Sequence, residues 1–170
     1  MIRLLGLDPG SRRLGWGVIE VEGSRLHHLG HGTVVAKESQ PLARRLVTMH
    51  EGLEDVLARF EPASVGLEQV FTGRNPRSAL TLGQARGIVL LSVGRRDLEL
   101  AEYAPAEIKL AVSGNGRASK SQLARLLERL LGLDLADSSE DSTDALAVAV
   151  CHAHGRQRRA LVERARGHRA

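Results

Sequence analysis

Residues 2–8 form a near-continuous apolar run, the pattern of a strand covered on both faces. Two further β-type runs follow at residues 14–21 and 25–36. The polar breaks Gly10-Ser11-Arg12-Arg13 and Glu22-Gly23-Ser24 between the runs suit antiparallel hairpins. After Pro41 the period changes: Leu42, Leu46, Met49, Leu53, Val56 and Phe60 recur at 3–4 spacing, which predicts a helix stopped by Pro62. Residues 63–69 are the next strand, parallel to the first if a right-handed crossover carries the chain back. Asn75-Pro76, an N-cap residue before proline, opens a helix over 76–94. That helix is apolar on more than one stripe (Leu80, Leu82, Ile88, Val89, Leu90, Leu91, Val93) and carries Gly83 and Gly87 inside it. Two apolar faces predict packing on the sheet and on a second surface, for which a subunit partner is the first choice. Residues 98–103 read as a fifth strand and Pro105 starts a short helix. Ser119-x-x-Gln122 caps a helix over 119–132, and a last helix spans about 140–155.

This order predicts an α/β fold. Its five-stranded mixed sheet combines a three-strand meander with two helix-linked parallel strands, and helices cover both faces. Residues 1–155 read as one domain and residues 156–170 as a basic, mobile tail. Aromatic residues are only 2% of the 170, so aliphatic side chains must fill the core. A single cysteine, Cys151, excludes an internal disulfide and reads as a small buried hydrophobe. Arg3 and Asp8 interrupt the first apolar stretch, against a secretory leader, and no uncharged run approaches the roughly 20 residues of a membrane span. The expected setting is cytoplasmic.

Charge is distributed unevenly. Residues 69–125 carry a net +5, residues 126–155 a net −5 and residues 156–170 a net +5. A basic middle beside an acidic patch suggests a polyanion gripped next to a cation-binding cluster. Asp8 and Glu68 fall at the C-terminal ends of the two predicted parallel strands, where open α/β sheets bind ligands. Asp141 and Asp144 open the last helix at i,i+3, on one side of it. Each acid has a plainer reading: Asp8-Pro9-Gly10 is good turn chemistry, and Asp141 completes a Ser138-x-x-Asp141 cap. A carboxylate after Val65-Gly66-Leu67 is costly to bury unless paired, and Asp144 interrupts an otherwise apolar helix face. Asp134, Asp137 and Glu140 are left outside the set. Four converging carboxylates raise one another's pKa, and a hard divalent cation such as Mg²⁺ removes that conflict. Two such ions suit in-line phosphoryl displacement. His152 and His154, at i,i+2, are expected at the surface, and the sequence has no Walker loop.

The chain resembles the RuvC family, the bacterial Holliday junction resolvases of the RNase H-like superfamily, over about residues 2–155. The resemblance rests on Gly6-Leu7-Asp8-Pro9-Gly10-Ser11, Leu67-Glu68-Gln69-Val70-Phe71, Asn75, and Ser78-Ala79-Leu80 through Leu82-Gly83-Gln84-Ala85-Arg86-Gly87. Lys109, Lys120-Ser121-Gln122 and Asp141-x-x-Asp144-Ala145-Leu146-Ala147 complete it. It implies a homodimeric endonuclease that makes paired symmetric nicks in four-way DNA junctions during recombination and repair, leaving 5′-phosphate and 3′-hydroxyl ends. It implies two Mg²⁺ per site, with Mn²⁺ able to substitute, and Asp8, Glu68, Asp141 and Asp144 as the catalytic and metal-binding acids. Phe71, Lys109 and Lys120 match residues facing DNA, and the RuvA–RuvB branch-migration complex is an implied partner. From the residues themselves, Arg74 and Arg77 flank Phe71 and are placed to hold phosphates, and the helix over 76–94 is the dimer candidate. Two other classes stay open on sequence: an ATP-dependent kinase or chaperone ATPase, whose phosphate turn Asp8-Pro9-Gly10-Ser11 resembles, and a non-catalytic junction-binding protein.

Overall fold

The structure, a computed structural model, describes residues 1–69 and 76–167. Five strands, β1 (Ile2–Pro9), β2 (Arg13–Glu22), β3 (Arg25–Val35), β4 (Ser64–Glu68) and β5 (Glu99–Tyr103), form one sheet in the order β3-β2-β1-β4-β5. β1 pairs antiparallel with β2, and β2 with β3, while β1, β4 and β5 run parallel. α1 (Leu42–Phe60) and α2 (Pro76–Gly94) cover one face; α3 (Pro105–Ser113), α4 (Lys120–Leu131) and α5 (Glu140–Gly167) lie against the other. The anticipated α/β meander-plus-crossover architecture is present. The Asn75 cap lies outside the described residues.

Strand period two sorts the side chains. Leu5 and Leu7 of β1 and Val65 and Leu67 of β4 enter the core under α1 and α2, with Leu53, Leu57, Phe60, Val89 and Val93. Leu4 faces the other way, into a core with Ile19, Ile108, Leu127 and Leu146. On that second face the strands carry glycines in register, Gly17 beside Gly6 beside Gly66. A Cβ at Gly6 would lie far inside van der Waals contact with the Ala145 carbonyl oxygen and the Ala149 nitrogen of α5. Added at Gly17 or Gly66 it would stand 2.8 Å from Leu146 N or His152 Cβ. Every residue from Ala145 to Val150 is fully buried there.

α4 has the predicted capping box: the Ser119 hydroxyl accepts from Gln122 N at 3.2 Å, and Gln122 Oε1 accepts from Ser119 N at 2.9 Å. Cys151 is buried and its thiol is pushed up to about 12 by desolvation, as a small core hydrophobe should be.

Three expectations need correction. α5 does not stop near 155 but runs to Gly167, so the basic segment begins as helix. Glu99 of β5 draws both Arg156 and Arg159, and Gln157 Nε2 donates to the Gly23 carbonyl at 3.0 Å. The cap of α5 is Ser139, not Ser138: its hydroxyl accepts from Ser142 N at 3.2 Å. His152 is no surface residue. Its ring is fully buried, with Nε2 2.6 Å from the Ser64 hydroxyl and Nδ1 2.9 Å from the Tyr103 hydroxyl. Burial, then Arg156, pushes its pKa down to about 4.

Two outcomes follow. Gly6→Ala is expected to destabilise the fold by about 3 kcal/mol or more, because the atoms it meets are helix backbone. Thermal melts will show this as a fall in Tm of roughly 6–12 °C. His152 is neutral when folded, whereas the unfolded ring takes a proton below about pH 6.5. The stability it contributes is therefore complete above that pH and lost as pH falls towards 4. Melts from pH 7 to 4.5 will show a steeper loss for the unaltered chain than for His152→Gln; equal slopes refute the assignment.

Candidate active site

Asp8 stands two residues after Gly6 on β1, and Glu68 two residues after Gly66 on β4. Period two therefore turns both carboxylates to the face on which α5 lies. α5 arrives with Asp141 and Asp144 in its first turns. The close seating on the glycines brings the helix acids down to the strand acids. Burial raises the Asp8 pKa to about 7, assisted by Glu68, Asp144 and Asp141 in that order, with Lys120 opposing. Glu68 is raised by burial and by Asp144, and lowered in part by Lys120 and Lys109. Asp144 is raised by burial against the pull of Lys120. Asp8, Glu68 and Asp144 are thus each raised by burial and by a neighbouring carboxylate.

Asp8, Glu68 and Asp144 line one open cleft of about 510 Å³ with Gln69, Ser78 and Leu82. A smaller recess of about 190 Å³, bounded by Glu68, Asp144, Lys109 and Lys120, adjoins it. Asp141 lies at the side, lining a neighbouring hollow with Gly10, Ser11, Arg12 and Arg13. Two cations neutralise the helix acids: Lys120 Nζ lies 3.2 Å from Asp144 Oδ2 and also pairs with Glu140, and Arg13 Nη1 lies 3.5 Å from Asp141 Oδ2. Burial lowers the Lys120 pKa, but Glu140 and Asp144 outweigh it and the net direction is up.

Among the described residues, no three His, Cys, Asp or Glu side chains are drawn together as a ready metal-ligand set. The side-chain chemistry still fits a hard divalent ion, because Asp8, Glu68 and Asp144 present carboxyl oxygens to one cleft and a cation there would relieve the burial and like charge that raise Asp8. Lys120 pairs with Asp144 and Arg13 with Asp141, so the helix acids each have a cation beside them.

Of the residues expected to face DNA, Lys109 and Lys120 border the recess. Phe71 and Arg74 lie outside the described residues, as does the side chain of Arg77, whose backbone belongs to α2. Sequence reasoning missed three contributors. Arg13 is the partner of Asp141, and Glu140, set aside as a bystander, shares Lys120. Arg86, half-buried on α2, donates to the Glu68 carbonyl at 3.1 Å and pairs with Glu102, tying the end of β4 to α2 and β5. Its signal was an arginine inside an otherwise apolar helix.

Comparison with known proteins places the chain in a family. Residues 4–152 match the family described as crossover junction endodeoxyribonuclease RuvC. The chain is 49% identical over 161 residues to the crossover junction endodeoxyribonuclease RuvC of Azorhizobium caulinodans, covering 95% of each chain. To that of Brucella ovis it is 46% identical over 156 residues, covering 92% of this chain and 90% of the relative. Among solved structures, Thermus thermophilus RuvC in complex with a Holliday junction superposes with a TM-score of 0.84 at 32% identity, covering 90% of this chain and 93% of that one. The yeast mitochondrial Holliday junction resolvase shares the fold, with a TM-score of 0.61 at 15% identity over 87% of this chain and 76% of that one. The five-stranded mixed sheet with its helices is thus an RNase H-like arrangement, and the chain belongs to the RuvC family of crossover junction endodeoxyribonucleases.

Proposed function

We propose that this nuclease resolves Holliday junctions through paired symmetric nicks, one per subunit of a homodimer, with Asp8, Glu68, Asp141 and Asp144 holding two Mg²⁺ ions. The observation that carries the reading is the convergence of acids from β1, β4 and α5 on one cleft, with Asp8 raised to about 7 by burial and by the other three. Divalent cations bound there supply charge neutralisation at the phosphodiester and suit in-line attack by water, leaving a 5′-phosphate and a 3′-hydroxyl. Mn²⁺ meets the same oxygen donors. The chain's own residues do the rest. Asp8 and Glu68 are fixed on the sheet and give the site its rigid half; Asp141 and Asp144 complete it from the helix.

Lys120 and Lys109 border the recess beside Glu68 and Asp144 and are the phosphate-binding candidates. An arriving phosphate competes for the ammonium that Asp144 and Glu140 share, so substrate binding and release of the acids are linked. Phe71 reads as an apolar wedge at the junction centre, and Arg74 and Arg77 as phosphate contacts beside it.

For the dimer, the supporting feature is the outer stripe of α2. Leu80, Gly83, Gly87, Leu90, Leu91 and Gly94 recur at helical spacing and are exposed. No heavy atom lies within 4 Å of a Cβ added at any of the three glycines. Such a face is suited to close approach of a second helix, and a two-fold pair would present two equivalent sites to a junction of approximate two-fold symmetry. The family further implies a cytoplasmic setting and work alongside the RuvA–RuvB complex. Among the described residues no helix is long and apolar enough to cross a membrane.

The test uses labelled four-way junctions and linear duplex, with and without Mg²⁺. Symmetric cuts confined to junctions and dependent on the ion are expected. Asp8→Asn should bind junctions normally and cut them roughly 100-fold more slowly or worse, the result of losing a few kcal/mol of charge stabilisation; unchanged cutting rejects the assignment. In sedimentation, Leu90→Glu with Leu91→Glu should convert a two-chain particle into single chains and leave junctions singly nicked. A single-chain particle for the unaltered protein rejects the interface.

A further inference from the structure

The far edge of the sheet carries a polar cluster that does not line the cleft. On β3, His28 Nε2 and His31 Nδ1 are 2.8 Å apart, and His31 Nε2 is 2.8 Å from the Ser138 hydroxyl. Two residues further along β3, the Thr33 hydroxyl lies 2.5 Å from the Ser139 hydroxyl. Histidines three apart on a regular strand would point to opposite faces. Here the β2–β3 register shifts, with Val18 opposite Gly30 and Ile19 opposite His28, so the bulge brings both rings to one side.

Both serines belong to the start of α5. Ser139 is its cap: its hydroxyl accepts from Ser142 N, and its carbonyl accepts from Thr143 N at 3.1 Å and from the Ser142 hydroxyl at 2.8 Å. Directly beneath this turn is one rung of the sheet, with Asp8 paired to Gly15 and Gly15 paired to Thr33. A Cβ at Gly15 would overlap the Asp141 carbonyl, so the backbone of α5 rests on that glycine. The first turn is therefore seated on the middle of the rung, tied at the outer end through Thr33, and faces Asp8 at the inner end. Apolar contact alone would leave such a turn free to roll or slide; directional hydroxyl contacts fix both motions.

We infer that Thr33 and His31 are positioning residues. Through Ser139 and Ser138 they clamp the start of α5 and set where Asp141 and Asp144 stand over Asp8. The inference rests on the reading that these acids hold a divalent cation. Groups that orient metal ligands from outside typically change metal affinity by about 10- to 100-fold when removed.

The test titrates the full chain with Mn²⁺ in the absence of DNA, following free Mn²⁺ by electron paramagnetic resonance. Thr33→Val, nearly the same shape without the hydroxyl, is expected to weaken Mn²⁺ binding roughly 10- to 100-fold. Thr33→Ser restores the hydroxyl and should bind close to the unaltered chain. Ser138→Ala removes the partner of His31 and should weaken binding in the same direction, which keeps the test decisive if Thr33→Val does not fold. Phe60→Leu, in the core on the opposite face, should lower Tm without weakening Mn²⁺ binding. Normal binding by both Thr33→Val and Ser138→Ala overturns the clamp, as does an equal loss in Phe60→Leu. If Asp144→Asn leaves the Mn²⁺ titration of the chain unchanged, the acids are not ligands and the metal reading falls with the clamp.

Discussion

The constraint on which the rest depends is how closely α5 lies against the sheet. A helix resting on leucines and valines would be held off by their side chains. Here Gly17, Gly6 and Gly66 form a row across β2, β1 and β4, and the helix sets Leu146 over Gly17, Ala145 and Ala149 over Gly6, and His152 over Gly66. Small groups on both surfaces allow backbone to approach backbone. Strand period two then does the chemistry: Gly6-Leu7-Asp8 and Gly66-Leu67-Glu68 place a seat and a carboxylate on the same face, with the intervening leucine in the opposite core. Seat and acid are therefore not separate features. Lifting the helix would separate the carboxylates as surely as removing one of them.

That closeness carries a cost in stability. Asp8 has a folded pKa near 7 against 3.8 in its ordinary state, so the folded chain binds its proton more tightly than the unfolded chain does. The sign is fixed by that order: the protonated acid favours the fold at low pH, and this contribution is lost as pH rises through 7. At neutral pH the cluster works against folding unless cations intervene. Lys120 and Arg13 partly supply them at Asp144 and Asp141. Anything that binds the folded chain and neutralises these acids would offset that cost by the same linkage.

Most of this was legible in the sequence, because strands and helices announce themselves by period and the acids by their interruption of apolar runs. What was not legible depended on distant partners. Arg156 and Arg159 read as the start of a loose tail because a polar helix has no apolar stripe; the structure ties the continuing helix down through Glu99 on β5 and the Gly23 carbonyl. His152 read as a surface residue from its spacing to His154, yet its partners Ser64 and Tyr103 lie 88 and 49 residues away. Ser138 and Ser139 are adjacent and chemically alike, so local rules could not choose the cap; β3 chooses it by meeting each with a different side chain. Arg13 looked like hairpin punctuation until α5 brought Asp141 to it.

The site is thus assembled from two halves with different mechanical character. Asp8 and Glu68 sit on central, parallel-paired strands whose neighbours are buried on both faces, and Arg86 braces the Glu68 carbonyl. Asp141 and Asp144 belong to a helix end, which is held by the Gly15 seat, the β3 hydroxyl contacts and the Glu140–Lys120–Asp144 bridge to α4. These holds differ in kind. The seat and the hydroxyls are neutral and persist whatever binds. The lysine bridge is ionic, borders the recess beside Glu68, and is the hold a phosphate or a cation would compete for.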